Sequence, residues 1–151
     1  MLGDSSFTLL RDIGSLGLGP GEEIRFSIDA YRGYRYVSIR RYVQMDGLFT
    51  ATRDGLTLTP EIARLLVPKV LSLPSTLSKL TLGKFAKRPG TCVVAAVSTL
   101  NGKYVLSLRQ WQEDIGWTQK GIMLPLEKME EVKELFRLTQ KALEDRPTDD
   151  F

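Results

Sequence analysis

Residues 33–61 read GYRYVSIRRYVQMDGLFTATRDGLTLTPE, and residues 102–127 read GKYVLSLRQWQEDIGWTQKGIMLPLE. Arg109 follows Arg40 by 69 residues and Gly121 follows Gly55 by 66, so the second segment lacks three residues between those points. Both segments run strand, basic residue, aromatic, polar turn, short strand, helix start. A unit of this size that occurs twice usually cannot bury its apolar face alone, so its copies share a core. This constrains the fold to two like halves in one chain.

Hydrophobic periodicity gives the elements of each half. Ile24, Phe26, Ile28 and Ala30 alternate with Arg25, Ser27, Asp29 and Tyr31, the pattern of a half-buried strand. Arg32-Gly33 turns the chain into a second strand over 34–43, and Asp46-Gly47 is a strong hairpin signal. Two short strands, 48–52 and 56–58, are expected around a turn at Asp54-Gly55. Thr59-Pro60-Glu61 opens a helix with a cap, a proline in the first turn and an acid at the dipole's positive end. Pro68 is expected to kink or split that helix. The second half repeats the order: a strand over 91–99, a turn at Asn101-Gly102, strands over 103–112, 115–118 and 122–124, and a helix from Pro125 or Leu126. Met129, Val132, Leu135, Phe136, Leu138, Ala142 and Leu143 form a wide apolar stripe on that last helix, suited to an interface within the chain or between two copies.

The resulting expectation is an α+β fold of two ββββα repeats forming an intramolecular pseudo-dimer, with curved antiparallel sheets and the helices packed on one side. Residues 1–22, rich in glycine, read as a flexible lead-in with room for a short strand near Phe7–Leu10. The first repeat covers 23–73, a basic linker with Lys79, Lys84, Lys87 and Arg88 covers 74–90, the second repeat covers 91–145, and 146–151 read as a frayed tail.

Composition removes several kinds of chemistry. The chain of 151 residues has no histidine and one cysteine, so His-activated nucleophiles, an internal disulfide and ordinary zinc sites are not expected. Cys92 lies in the apolar strand TCVVAAV and reads as a buried small hydrophobe. The adjacent Glu113-Asp114 falls in a hairpin turn, and no phosphate-cradling glycine motif is present. No enzyme activity, cofactor or metal is expected. No apolar run approaches the length of a membrane span, and no signal peptide is read at the N-terminus, so an intracellular location is expected, nucleus or nucleoid and cytoplasm according to source. Net charge is +3, but residues 23–124 hold 15 Lys/Arg against 7 Asp/Glu, which points to a polyanionic partner.

The candidate site follows from aligning the two segments. Ser38/Ser107, Arg40/Arg109 and Tyr42/Trp111 coincide on one strand face, opposite the apolar Val37/Leu106 and Ile39/Leu108. A sheet face bearing guanidinium groups and aromatic rings suits single-stranded nucleic acid: bases stack on the rings while cations follow the phosphates. Arg25, Tyr31, Arg32, Tyr34 and Arg53 extend the set in the first half, and Lys103, Trp117 and Lys120 in the second. In this reading Arg32, Arg40, Arg53, Lys103, Arg109 and Lys120 meet phosphates, whereas Tyr31, Tyr42, Trp111 and Trp117 meet bases. The alternative is a scaffold subunit that uses the same face for a protein.

The same residues resemble the transcriptional positive cofactor four family of single-stranded-DNA-binding coactivators. The resemblance lies in Tyr31-Arg32-Gly33, Ile39-Arg40-Arg41-Tyr42, Asp46-Gly47, Arg53-Asp54-Gly55 and Leu56 to Glu61. It recurs at Asn101-Gly102-Lys103, Leu108-Arg109-Gln110-Trp111, Gln119-Lys120-Gly121 and 122–127. It implies a ββββα unit that dimerises through its helices, and it implies single-stranded DNA as ligand with low sequence specificity. Transcription or replication proteins, and a second copy of the chain, are the implied protein partners. Whirly, Pur-repeat and guide-RNA-binding proteins share the general architecture, which keeps RNA as the alternative ligand.

Overall fold

Alternating burial in the computed structural model, which describes residues 7–145, follows the sequence pattern closely in four strands. These are β2 (Glu22–Tyr31), β3 (Tyr34–Met45), β6 (Thr91–Leu100) and β7 (Lys103–Gln112). Ile24, Phe26, Ile28, Val37, Ile39, Val93, Ala95, Val97, Leu106 and Leu108 all turn into one core. The hairpins between these strands close as the dipeptides require. Arg32-Gly33, Asp46-Gly47 and Asn101-Gly102 each have two consecutive positive φ values, the backbone of a two-residue turn matched to strand twist.

Eight strands form one antiparallel sheet in the order β1-β2-β3-β4-β8-β7-β6-β5. The remaining strands are β1 (Thr8–Gly19), β4 (Leu48–Leu58), β5 (Leu80–Arg88) and β8 (Gly116–Pro125). Helix α1 (Pro60–Leu71) follows β4. A short 3-10 turn (Leu126–Lys128) leads from β8 into helix α2 (Met129–Glu144). The two helices pack on each other and on the core, with Phe136 meeting Phe26 edge-to-face at 5.4 Å. The α2 stripe is used within the chain: Val132, Leu135, Phe136, Ala142 and Leu143 are buried.

Five expectations are corrected. The glycine-rich lead-in is not a flexible segment over residues 8–19: it is strand β1, paired with β2 from Thr8–Ala30 to Gly19–Glu22. Its glycines serve bulges and close packing, since a Cβ on Gly14 would lie 2.9 Å from Leu135 Cδ2 of α2. Likewise, residues 80–88 of the basic linker form edge strand β5, anchored by buried Phe85 and interrupted by two register shifts that blur its alternation. The expected short strands at 48–52 and 56–58 are one strand, β4, and Asp54-Gly55 lies at a bulge rather than a turn. Helix α1 runs unbroken through Pro68, which sits on the solvent side, on the same face as exposed Arg64, whose carbonyl loses its helical partner. Cys92 is half-buried rather than in the core, because it alternates with buried Thr91 and Val93 and faces the other way. Residues 1–6 of the lead-in and the expected tail at 146–151 lie outside the described residues.

Candidate nucleic-acid interface

Where β3 meets β4 and β7 meets β8, the strands carry the same irregularity. Tyr42 pairs with Ala51 and Arg40 with Gly55, so Thr52, Arg53 and Asp54 bulge opposite the single residue Arg41. Trp111 pairs with Trp117 and Arg109 with Gly121, so Thr118, Gln119 and Lys120 bulge opposite Gln110. A threonine fastens each bulge. The Thr52 hydroxyl donates to Arg41 O at 2.9 Å and accepts from the Asp54 N–H; the Thr118 hydroxyl donates to Gln110 O at 3.1 Å and accepts from the Lys120 N–H. Eight residues separate the paired Tyr42 and Ala51, and five separate Trp111 and Trp117, which places the three-residue difference in the hairpin tips.

Each bulge ends at a glycine that the packing demands. A Cβ on Gly55 would lie 2.7 Å from Ile39 O, and one on Gly121 would lie 2.9 Å from Leu108 O. These two glycines pair with each other, and their pairing joins β4 to β8. Following register outward from this point gives one transverse row across the sheet: Ser15, Arg25, Arg40, Gly55, Gly121, Arg109, Val94, Lys84. Directly paired residues share a sheet face, so the row sets four cations on one face around a bare glycine centre. Arg40 and Arg109 are three strand spacings apart, roughly 14 Å.

The centre of the row is an open groove of about 520 Å³ lined by Arg40, Arg53, Gly55, Ile115, Trp117, Thr118, Gln119 and Lys120. Arg40 Nη1 donates to Thr52 O at 3.0 Å, which aims its side chain along the groove. Arg109 lies over the Trp117 ring, 4.5 Å from its centroid, and Trp117 remains 49% exposed. Among the described residues, Arg40, Arg53, Lys84, Arg109 and Lys120 form no ion pair. Arg25 differs: it contacts Glu23 at 2.6 Å and stacks over Tyr42 at 4.3 Å and Phe49 at 5.2 Å. Nearby, burial pushes the Asp29 carboxyl above its ordinary range, opposed by the Ser27 hydroxyl and the Arg40 charge.

Of the twelve residues singled out in the sequence, Arg40, Arg53, Trp117 and Lys120 converge in the groove. Arg25 and Arg109 flank it in the row, Tyr42 lies beneath Arg25, and Trp111 pairs with Trp117. Four lie elsewhere. Tyr31, Arg32 and Tyr34 sit at the β2–β3 tip, where Tyr31 stacks on Phe7 at 4.7 Å and Tyr34 is 68% exposed. Tyr34 is six residues along β3 from Arg40, roughly 20 Å away. Lys103, at the β6–β7 tip, is paired with Glu127 at 3.1 Å. Phe49, Ile115, Gln119 and the two fastening threonines escaped the sequence reading. The threonines carried a signal there: each stands three residues before a glycine that aligns with the other.

Behind the groove, Lys87 of β5 donates to Thr57 Oγ1 at 2.8 Å and to Gln110 Oε1 at 3.0 Å. Burial, with Arg88 and Lys120 nearby, lowers its ammonium pKa to about 8. Among the described residues no cluster of His, Cys, Asp or Glu could hold a metal ion, and no helix is long and apolar enough to cross a membrane.

No protein-family model matches this sequence, and comparison with curated protein sequences likewise finds no match. The resemblance to the positive cofactor four family therefore rests on the motifs quoted above. Among solved structures, the chain is similar to WHY3 from Arabidopsis thaliana, with 10% identity, 87% of this chain and 88% of that chain covered, and a TM-score of 0.44. It is also similar to the plant transcriptional regulator PBF-2, with 10% identity, 91% and 82% covered, and a TM-score of 0.43.

Proposed function

We propose that this chain binds single-stranded nucleic acid, DNA before RNA, across the junction of β4 and β8, with low sequence specificity. The carrying observation is the row across the sheet at two adjacent glycines, in which Arg40, Arg109 and Lys84 form no ion pair among the described residues, with an exposed tryptophan beside it. Phosphates would lie along Arg40, Arg53, Arg109, Lys120 and Lys84, and a base would stack on Trp117 for about 1–3 kcal/mol. The two halves act as an intramolecular pseudo-dimer of ββββα units, each bringing one bulge to the groove; the shared bulge pattern supports this. A non-enzymatic role inside the cell, in transcription or DNA maintenance, fits such a surface.

Fluorescence anisotropy of labelled dT and rU oligonucleotides, with a duplex control, tests the reading at two salt concentrations. Five neutralised phosphates give a slope of log affinity against log salt of roughly −3.5 for a single strand. Salt-sensitive binding to single strands and weak duplex binding are expected. No binding to any of them at low salt would overturn the proposal.

A further inference from the structure

We propose that a bound strand leaves the groove over the second half only, placing its next base in a cavity at the β5–β6 tip. This rests on the single-strand reading above. Trp117, on the groove, pairs with Trp111, Trp111 with Cys92, and Cys92 with Ala86, so these four share the sheet face that carries Arg109. Trp117 and Ala86 are three strand spacings apart, roughly 14 Å. Trp111, Cys92 and Ala86 wall an open cavity of about 610 Å³, completed by Arg88, Pro89 and Gly90. One indole therefore lines the groove and its paired neighbour lines the cavity. No acid lines the cavity, and Arg88 is exposed and forms no ion pair among the described residues. Glu113 and Asp114 line a separate hollow at the β7–β8 tip. An aromatic wall with a free guanidinium beside it suits a base and its phosphate. The first half offers rings as well, Tyr42 and Phe49, but the place of Cys92 there is taken by Glu23. Its cavity, of about 400 Å³, is lined by both Asp12 and Glu23, and Glu23 already neutralises Arg25. Two carboxylates against one paired cation repel a phosphate chain, so a strand gains nothing by extending that way.

Anisotropy titrations of thymidine oligonucleotides of increasing length, each at two salt concentrations, test this path. Lengthening past the groove adds one phosphate contact, so the slope of log affinity against log salt should steepen by roughly 0.7. Arg88→Ala, at an exposed position, should remove that step and leave the shorter oligonucleotides unaffected. Cys92→Glu, which gives the second half the residue of the first, should also remove it and weaken the longer oligonucleotides roughly ten-fold. Arg25→Ala should leave the step intact. A step that survives both second-half variants, or that disappears with Arg25→Ala, would overturn the one-sided path while leaving the single-strand reading intact. So would binding that shows no step at any length. Absence of binding at every length would overturn that reading, and this inference with it.

Discussion

In the β3–β4 hairpin, the residue opposite the bulge is Arg41, half-exposed and ion-paired with both Asp54 and Glu22. In β7–β8 the same place holds Gln110, fully buried, with its amide oxygen accepting from Lys87 and its nitrogen without a partner. The difference comes from the edge strand beyond. β5 brings Lys87 over Gln110, whereas the matching place on β1 is the partly buried Leu18. One backbone irregularity is thus finished in one half by solvated ions and in the other by a buried polar network. Buried polar groups are coupled to folding in a way that exposed ion pairs are not, so the two halves should respond very differently to perturbation.

The largest contrast is in pH dependence. The unfolded chain keeps the Lys87 proton up to about pH 10.5, whereas the folded chain releases it near pH 8. Between those values the unfolded state binds more protons, so stability rises with pH, by at most about 3 kcal/mol. Urea unfolding across that range should show the rise in the native sequence and lose it in Lys87→Met. Arg41→Ala, which breaks the ion pairs at the first-half place of Gln110, should cost less than about 1 kcal/mol at any pH in that range.

Next come the paired glycines. Gly55→Ala forces a methyl against Ile39 O and Arg40 Cα and should destabilise by about 3 kcal/mol. Gly121→Ala, where Arg109 Cα is 3.4 Å away rather than 2.9 Å, should cost about 1–2 kcal/mol. Equal losses would mean that the sheet centre relaxes the same way on both sides. In binding, Trp117→Ala should weaken single-strand affinity by about 1–3 kcal/mol, and Tyr42→Ala by less, because Tyr42 is half-buried whereas Trp117 is largely exposed. Anisotropy titration at one salt concentration decides between them. The smallest effect belongs to the fastening hydroxyls: Thr52→Val and Thr118→Val should each cost about 1 kcal/mol in thermal or urea unfolding.

Local signals were legible wherever a residue's own neighbours set its conformation. The three hairpin dipeptides, the alternating strands β2, β3, β6 and β7, and the Thr59 cap, whose hydroxyl accepts from Ile62 N at 3.2 Å, could be read directly. Strands β1 and β5 could not. Their glycines and cations look like loop composition, but glycine there admits a bulge or a helix and the cations line an exposed edge. Nor could the continuity of β4 be read, because a three-residue bulge and a turn have similar composition.

The candidate site divides along the same line. That Arg40 and Arg109 share a face with Tyr42 and Trp111 follows from the two-residue period of a strand, and the sequence determined it. That Arg53, Trp117 and Lys120 join Arg40 in one groove, while Tyr34 and Lys103 lie at distant tips, was decided by tertiary structure. It depends on Gly55 pairing with Gly121, a contact between residues 66 positions apart. Alternation and turn chemistry act over a few residues and leave a mark in composition. Pairing between distant strands is fixed by the shared core and by which backbones can approach closely, and only the assembled sheet brings those conditions together.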